Sequence, residues 1–150
     1  NSQYDFERLN KKTLILDISI DISTTSNVSL IEPFKIDRLS DIYLDSLTTY
    51  HAIDNKQSGS NHMCFILGLP DFNIHSASNN SNIQNKIIIP NESTQDDTVN
   101  IHKSKKHNFI CSVNPCTITN IEGSITNLVN SSAFDSGGRF ILELLIIARD

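Results

Sequence analysis

The closing stretch Arg139 to Asp150, RFILELLIIARD, decides how the chain folds. It follows Gly137-Gly138 and is rich in β-branched and aromatic residues, which favours a strand over a short buried helix. With period two, Phe140, Leu142, Leu144, Ile146 and Ala148 form one face and Ile141, Glu143, Leu145, Ile147 and Arg149 the other. The first face is pure core. The second is apolar but carries two charges, and apolar residues beside charge are costly to leave exposed, so Ile141, Glu143, Leu145, Ile147 and Arg149 are candidates for a contact surface. The N-terminal arm or a loop is an alternative cover for them.

A second stretch, Lys12 to Ser23 (KTLILDISIDIS), alternates more cleanly still. Leu14, Leu16, Ile18, Ile20 and Ile22 share a face, where a helix would scatter them around its circumference. Between these two strands, Thr24 to Asn27 reads as a turn and Val28 to Ile36 as an extended connection, since Pro33 is barred from a central ladder position. Asp37 to Ser40 reads as a short helical turn. Ile42 to His51 reads as a strand of mixed polarity, with Tyr43, Asp45, Leu47 and Thr49 opposed to Ile42, Leu44, Ser46, Thr48 and Tyr50. Met63 to Leu69 is apolar up to Pro70 and resumes over Phe72 to His75, and Lys86 to Ile89 is a short strand closed by Pro90. Val99 to His102 and Asn108 to Val113 read as a pair joined by a basic turn. Cys116 to Ile121 and Ser124 to Val129 read as another pair broken at Glu122-Gly123. Asp54 to Asn61, Ser76 to Asn82 and Asn91 to Asp97 are polar loops.

About eight strands with no long amphipathic helix predict an all-β fold, a single jelly-roll sandwich of antiparallel strands. In a jelly roll the first and last strands are neighbours, which places Leu14 to Ile22 beside Phe140 to Ala148. An immunoglobulin-like sandwich is the alternative, without its Cys and Trp hallmarks. Residues 1–11 read as an arm and 12–150 as one domain, a length at which a core needs no disulfide staples.

The formal charge of -5 and pI near 5.4 argue against nucleic acid as a partner, which would require a broad cationic surface. No apolar run approaches the ~20 residues of a membrane span. The three cysteines, Cys64, Cys111 and Cys116, lack a framework spacing and read as reduced thiols. The first residue is Asn rather than Met, so the chain reads as cut from something longer. Ile, Asn and Ser are abundant in the manner of an AT-rich coding sequence, which also yields the sequons at Asn27, Asn79, Asn91 and Asn130 by chance.

No constellation names a chemistry. His102, His107, Cys111 and Cys116 offer ligand types that zinc accepts, but lack the tight Cys-x-x-Cys or His-x-x-x-His clamps of a finger. Pleating instead makes Cys111 a small core residue, and His62 with Cys64 on one strand face is a weaker pair. Asp135-Ser136-Gly137 carries the Asp-Ser-Gly triplet of aspartic proteases, yet follows a polar run and has too little chain after it for a flap, so a turn before the last strand is the better reading. No facial-triad, nucleophile-elbow or phosphate-loop motif occurs. The expectation is no enzyme, no catalytic or metal residue, no cofactor and no small-molecule ligand. Lys103, Lys105 and Lys106, in the basic turn between His102 and His107, are the remaining contact candidates, with a solvated hairpin tip as the plainer reading.

Four stretches, PFKIDRLSDIYLDSLTTY from Pro33, NKIIIPNE from Asn85, IHKSKKHNFICSVNPCTITNIEGSIT from Ile101, and RFILELLIIARD, together resemble small virion proteins of giant nucleocytoplasmic DNA viruses. The resemblance lies in short strands, a basic hairpin and an Ile/Leu/Ala-rich closing strand. It implies a single jelly-roll capsid component, a penton subunit or a minor capsid protein, partnered by itself and by other capsid proteins. It also implies residence in a virion assembled in the host cytoplasm. A lectin-like or receptor-binding head using the three polar loops, with Tyr43, Tyr50 and Phe72 as stacking platforms, is the alternative.

Overall fold

A computed structural model describes residues 11–54, 59–93, 99–103 and 108–149, with Lys103 described through its backbone. Among these residues the chain forms β1 (Lys11–Ile18), β2 (Thr25–Ile36), β3 (Ser40–Ala52), β4 (Cys64–Gly68), β5 (Ile87–Pro90), β6 (Val99–Lys103), β7 (Phe109–Val113), β8 (Cys116–Thr126) and β9 (Phe134–Ala148). One 3-10 turn, Ser60–His62, precedes β4.

The strands form two antiparallel sheets. One runs β1-β9-β3, with β6 and β7 both on the free side of β3; the other runs β2-β8-β4-β5. Counting β6 and β7 as one interrupted strand gives the four-on-four order of a jelly roll. β1 pairs with β9 from Lys11 opposite Ile147 to Ile18 opposite Phe140, so the first and last strands are neighbours. The alternation explains the pairing, because Leu14, Leu16 and Ile18 face the core beside Leu144, Leu142 and Phe140. Across the sandwich they meet Phe65, Leu67, Ile87, Ile89, Ile121 and Ile125. Phe134 stacks between Phe65 and Phe140, with centroids 5.8 Å from each.

Several local expectations are corrected. From Thr25 onward, the residues read as a turn and an extended connection are one strand, β2, whose register shifts between Ser29 and Phe34. Pro33 lies in that bulge on an edge strand, where its missing N–H breaks no ladder. β1 ends at Ile18, and although Ile20 stays buried, Ile22 is 60% exposed. Asp37 to Leu39 is not helical, and Ser40 already belongs to β3. Phe72 to His75 is irregular chain, and Phe72 is buried in the core rather than available for stacking.

Glu122-Gly123 is no turn either: β8 runs unbroken through it. A Cβ at Gly123 would lie 3.1 Å from the Gly68 carbonyl oxygen, so this glycine serves a close approach between strands. The triplet Asp135-Ser136-Gly137 is likewise inside β9, kinked at Gly137 with φ of 86°. Its neighbour Gly138 is closed in, since a Cβ there would stand 2.7 Å from the Asp21 carbonyl oxygen.

The faces of β3 are also revised. Its buried residues are Ser40, Ile42, Leu44, Leu47 and Thr49, because Leu44 pairs with Leu144 and Ser46 with Glu143, leaving Asp45 unopposed. That extra residue is a β-bulge, and it shifts the phase of the pleat by one.

β6 and β7 do not pair with each other. β6 lies along the second half of β3 and β7 along the first half. The basic stretch is therefore no hairpin tip. It interrupts one edge of the sheet, and residues 104–107, with Lys105, Lys106 and His107, lie outside the described residues.

Candidate functional site

The outer faces of the two sheets differ in chemistry. Outside β2 and β8 polar side chains tie the surface together, although Ile31 of β2 is fully exposed. Ser29 Oγ donates to Asn120 Oδ1 at 3.2 Å, Asn120 Nδ2 donates to Asn27 Oδ1, and Asn27 Nδ2 donates to Glu122 Oε1 at 3.4 Å. Ile66 alternates with the core residues Phe65 and Leu67 and so points to this outer side, yet it is fully buried. The segment between β4 and β5 reaches across here, with Asn82 Nδ2 donating to the Leu128 carbonyl at 3.3 Å.

The outer face of the β1-β9-β3 sheet mixes exposed apolar residues with polar and charged ones. Its cross-strand rows follow from the register. Asp17, Ile141, Thr48 and Ile101 form one row; Ile15, Glu143, Ser46 and the Lys103 position form the next; Thr13, Leu145, Tyr43 and Phe109 form a third. Ile15, Val99, Ile101 and Phe109 are each at least half exposed, at 57%, 57%, 54% and 50%. Tyr43 and Phe109 meet edge to face with centroids 5.8 Å apart. Ile141, Leu145 and Ile147 are half-buried between flanking strands.

Two ionic clamps hold the ends of this face. Arg139 Nε donates to Asp17 Oδ1 at 2.7 Å, and its Nη2 donates to Asp17 Oδ2. The Arg139 hydrogen bonds hold the Asp17 carboxyl below its usual range, and Asp17 in turn raises Arg139. At the far end, Arg149 Nε donates to Asp41 Oδ1 at 3.0 Å and Arg149 Nη2 to Ser112 Oγ at 2.9 Å. Ser112 Oγ closes the triangle by donating to Asp41 Oδ1 at 2.7 Å. Asp41 is lowered by the Arg149 hydrogen bond, opposed by burial and helped by Ser112, while Arg149 is raised by the same bond. Arg149 is therefore engaged within its own chain. Among the described side chains none pairs with Glu143.

Of the sequence-derived contact residues, the structure puts Ile141, Glu143, Leu145, Ile147 and Arg149 on one outward side of β9, and Lys103 two strands away in the Glu143 row. Sequence reading missed Ile15, Tyr43, Val99, Ile101 and Phe109, which complete the surface. Each is an outward residue of its own strand, a signal visible in the alternation but with no local mark of which strands would lie side by side.

The His/Cys cluster does not gather. His102 and Cys111 both face inward, but they sit opposite Leu47 and Ile42 of β3, roughly 15 Å apart along the strand. Cys116 is exposed at the start of β8 in the other sheet. Among the described residues no three His, Cys, Asp or Glu side chains come together as a metal site. Cys111 is raised from its ordinary value by burial and by the Asp41 charge, in keeping with a small core residue. His62 and Cys64 share no strand, since His62 ends the 3-10 turn.

Parts of the three polar loops do approach one another. The Leu128 backbone accepts from Asn82 and donates to the Asn61 carbonyl at 3.0 Å. Asn91, buried despite its sequon, donates to the Ile53 and His62 carbonyls at 2.8 Å each. Ser76 to Asn82 is also bound to its own surroundings: Ser76 N donates to Asn85 Oδ1, and Asn85 N donates to Ser76 Oγ. Residues 55–58 and 94–98 lie outside the described residues.

No protein-family profile matches the chain, and no curated protein resembles it in sequence. Among solved structures it is similar to a capsid chain of the Helicobacter pylori bacteriophage KHP30, with 8% identity and a TM-score of 0.38 over 94% of this chain and 90% of that one. It is similar to a chain of the virus-like particle of Macrobrachium rosenbergii extra small virus, with 10% identity and a TM-score of 0.31 over 93% and 79%. It is similar to the core of Drosophila NLP, with 10% identity and a TM-score of 0.33 over 93% and 100%. Likeness this loose adds nothing to what the strand order already establishes, a jelly-roll β-sandwich.

Proposed function

We propose that the protein is a structural virion component, a single jelly-roll capsid protein of penton or minor type that self-associates or braces neighbouring shell proteins. One observation carries the reading. The outer face of the β1-β9-β3 sheet leaves apolar side chains exposed on its flanking strands, Ile15 on one side and Val99, Ile101 and Phe109 on the other, with Ile141, Leu145 and Ile147 half-buried between them. Large apolar side chains clustered in the open on one face mark a place where another macromolecule packs. The sequence resemblance to virion proteins agrees with this, and the reading needs no catalytic residue and no cofactor.

Light scattering across micromolar to submillimolar concentration, together with particle reconstruction from infected host cytoplasm, tests it. Concentration-dependent oligomers, or ordered copies of the chain in a particle, are the expected result. A chain that stays monomeric throughout and is missing from particles removes the proposal. The approach of the three polar loops around Leu128 and Asn91 favours the lectin-like or receptor-binding head as the second reading. That reading predicts glycan-array retention that is lost when the loops are shortened.

A further inference from the structure

We infer that a hollow at the Arg139 end of the β1-β9-β3 sheet binds an uncharged pyranose sugar, stacked on Tyr50 and hydrogen-bonded beside Arg139. This rests on the receptor-binding reading and moves the contact from the polar loops to the sheet.

The hollow has a volume of about 510 Å³, and Ser19, Thr48, Tyr50, Val99, Arg139 and Ile141 are among the residues that line it. That volume lies within the range of about 300–1,000 Å³ usual for small-ligand sites. The site draws on β3, β6 and β9 and on the chain just after β1. In the register, Tyr50 is opposite Arg139 and Val99, and Thr48 is opposite Ile141.

Its aromatic wall depends on a departure from regular β-structure. Consecutive strand residues point to opposite faces, yet the Tyr50 and His51 rings stack, 4.1 Å between centroids and 21° between planes. His51 brings this about with a left-handed backbone, φ of 58°, where the β3–β9 register shifts between Tyr50 and Ala52. Its Nδ1 donates to the Ser136 carbonyl at 3.1 Å, which fixes the imidazole against Tyr50. A left-handed backbone is costly for a residue other than glycine, and bulges that re-aim side chains gather at functional sites. His51 covers one face of the Tyr50 ring, and the other face, with the phenol oxygen, is left for a ligand. Tyr50 is 42% exposed.

The polar wall sets the charge of that ligand. Arg139 donates through Nε and Nη2 to the Asp17 carboxylate, so its charge is already met. Its remaining N–H donors stand beside carboxylate acceptors, and the Ser19 and Thr48 hydroxyls line the same hollow. A sugar hydroxyl both donates and accepts, so a mixed set suits neighbouring hydroxyls, whereas a phosphate or carboxylate calls for an unpaired cation. Val99 and Ile141 add apolar surface next to the aromatic ring. A pyranose meets that side with its face of C–H groups.

Saturation-transfer difference NMR of the full chain with methyl β-galactoside, methyl β-glucoside and methyl α-mannoside tests this, alongside a glycan array. At least one sugar is expected to show transfer, strongest at its ring C–H protons. Tyr50→Leu is expected to weaken binding on the order of tenfold and Tyr50→Phe to retain it, with circular dichroism confirming that each variant is folded. Shortening Ser76 to Asn82 is expected to leave binding unchanged. Binding that survives Tyr50→Leu overturns the hollow, and if it is lost on shortening the loops, the receptor-binding reading stands without it. Retention of sialylated or sulfated glycans alone overturns the uncharged ligand. A particle map in which another shell protein covers Tyr50 and Arg139 overturns the site. A wild type that binds no sugar in either measurement ends both the site and the receptor-binding reading.

Discussion

His102 is enclosed on every side, at 1% exposure, with both ring nitrogens committed. Nδ1 accepts from the Glu92 N–H at 3.0 Å, which leaves the proton on Nε2 to be donated to Thr49 Oγ1 at 2.8 Å. The Phe65 ring stands edge-on with its centroid 4.8 Å away. Burial pushes the imidazole below its ordinary value of 6.5, against smaller upward contributions from the Glu92 charge and the Pro90 carbonyl. The unfolded chain therefore takes up a proton as pH falls through 6.5 before the folded chain does. The contribution of His102 to stability is complete above that pH and is lost as the medium acidifies below it. Urea unfolding from pH 8 to pH 5 should show stability falling toward acid pH, with a slope that begins near 6.5 as this residue titrates in the unfolded chain. His102→Gln, which keeps an acceptor and a donor, should flatten that part of the slope, and an unchanged slope would assign it to other groups. Sequence reading saw in His102 a candidate ligand and could not see its enclosure. A histidine's neighbours come from distant strands, here β3, β4 and the loop after β5.

At the scale of elements, alternation was legible and its interruptions were not. β1 and the core face of β9 follow directly from period two, because neither strand is bulged where they pair. β3 defeated the same reading at Asp45, where one extra residue reverses the inward and outward sets. Deleting Asp45 should leave Ile42, Leu44, Leu47 and Thr49 facing inward along an unbulged strand and cost no more than about 1 kcal/mol. Deleting Thr48 instead either turns Thr49 outward and Tyr50 inward or puts Ser46 in the place of Leu47, and should cost more than about 4 kcal/mol. Thermal melts of the two deletions decide between the bulge and an ordinary pleat. Gly123 was misread as a turn for a related reason. A glycine admits both a tight turn and a close interstrand contact, and only the nearness of Gly68 distinguishes them.

For the whole molecule, the jelly roll makes the two ends of the described chain neighbours, with Lys11 opposite Ile147. Joining residue 150 to residue 1 through a short flexible linker, and opening the chain between residues 55 and 58, should give a circular permutant that folds. Its melting temperature should lie within about 10 °C of the wild type, because no described strand pairing is cut. A permutant that fails to fold would mean that the segment between β3 and β4 is part of the core. The sequence by itself determined the fold class and the pairing of its ends. Those depend on which residues along one strand are apolar, a local property that period two makes visible. Only the tertiary structure decided the phase of β3, the division of one edge strand into β6 and β7, and the make-up of the outer face. That face is made of cross-strand rows such as Thr13, Leu145, Tyr43 and Phe109, whose members are far apart in the chain and become neighbours only when the sheet sets their register.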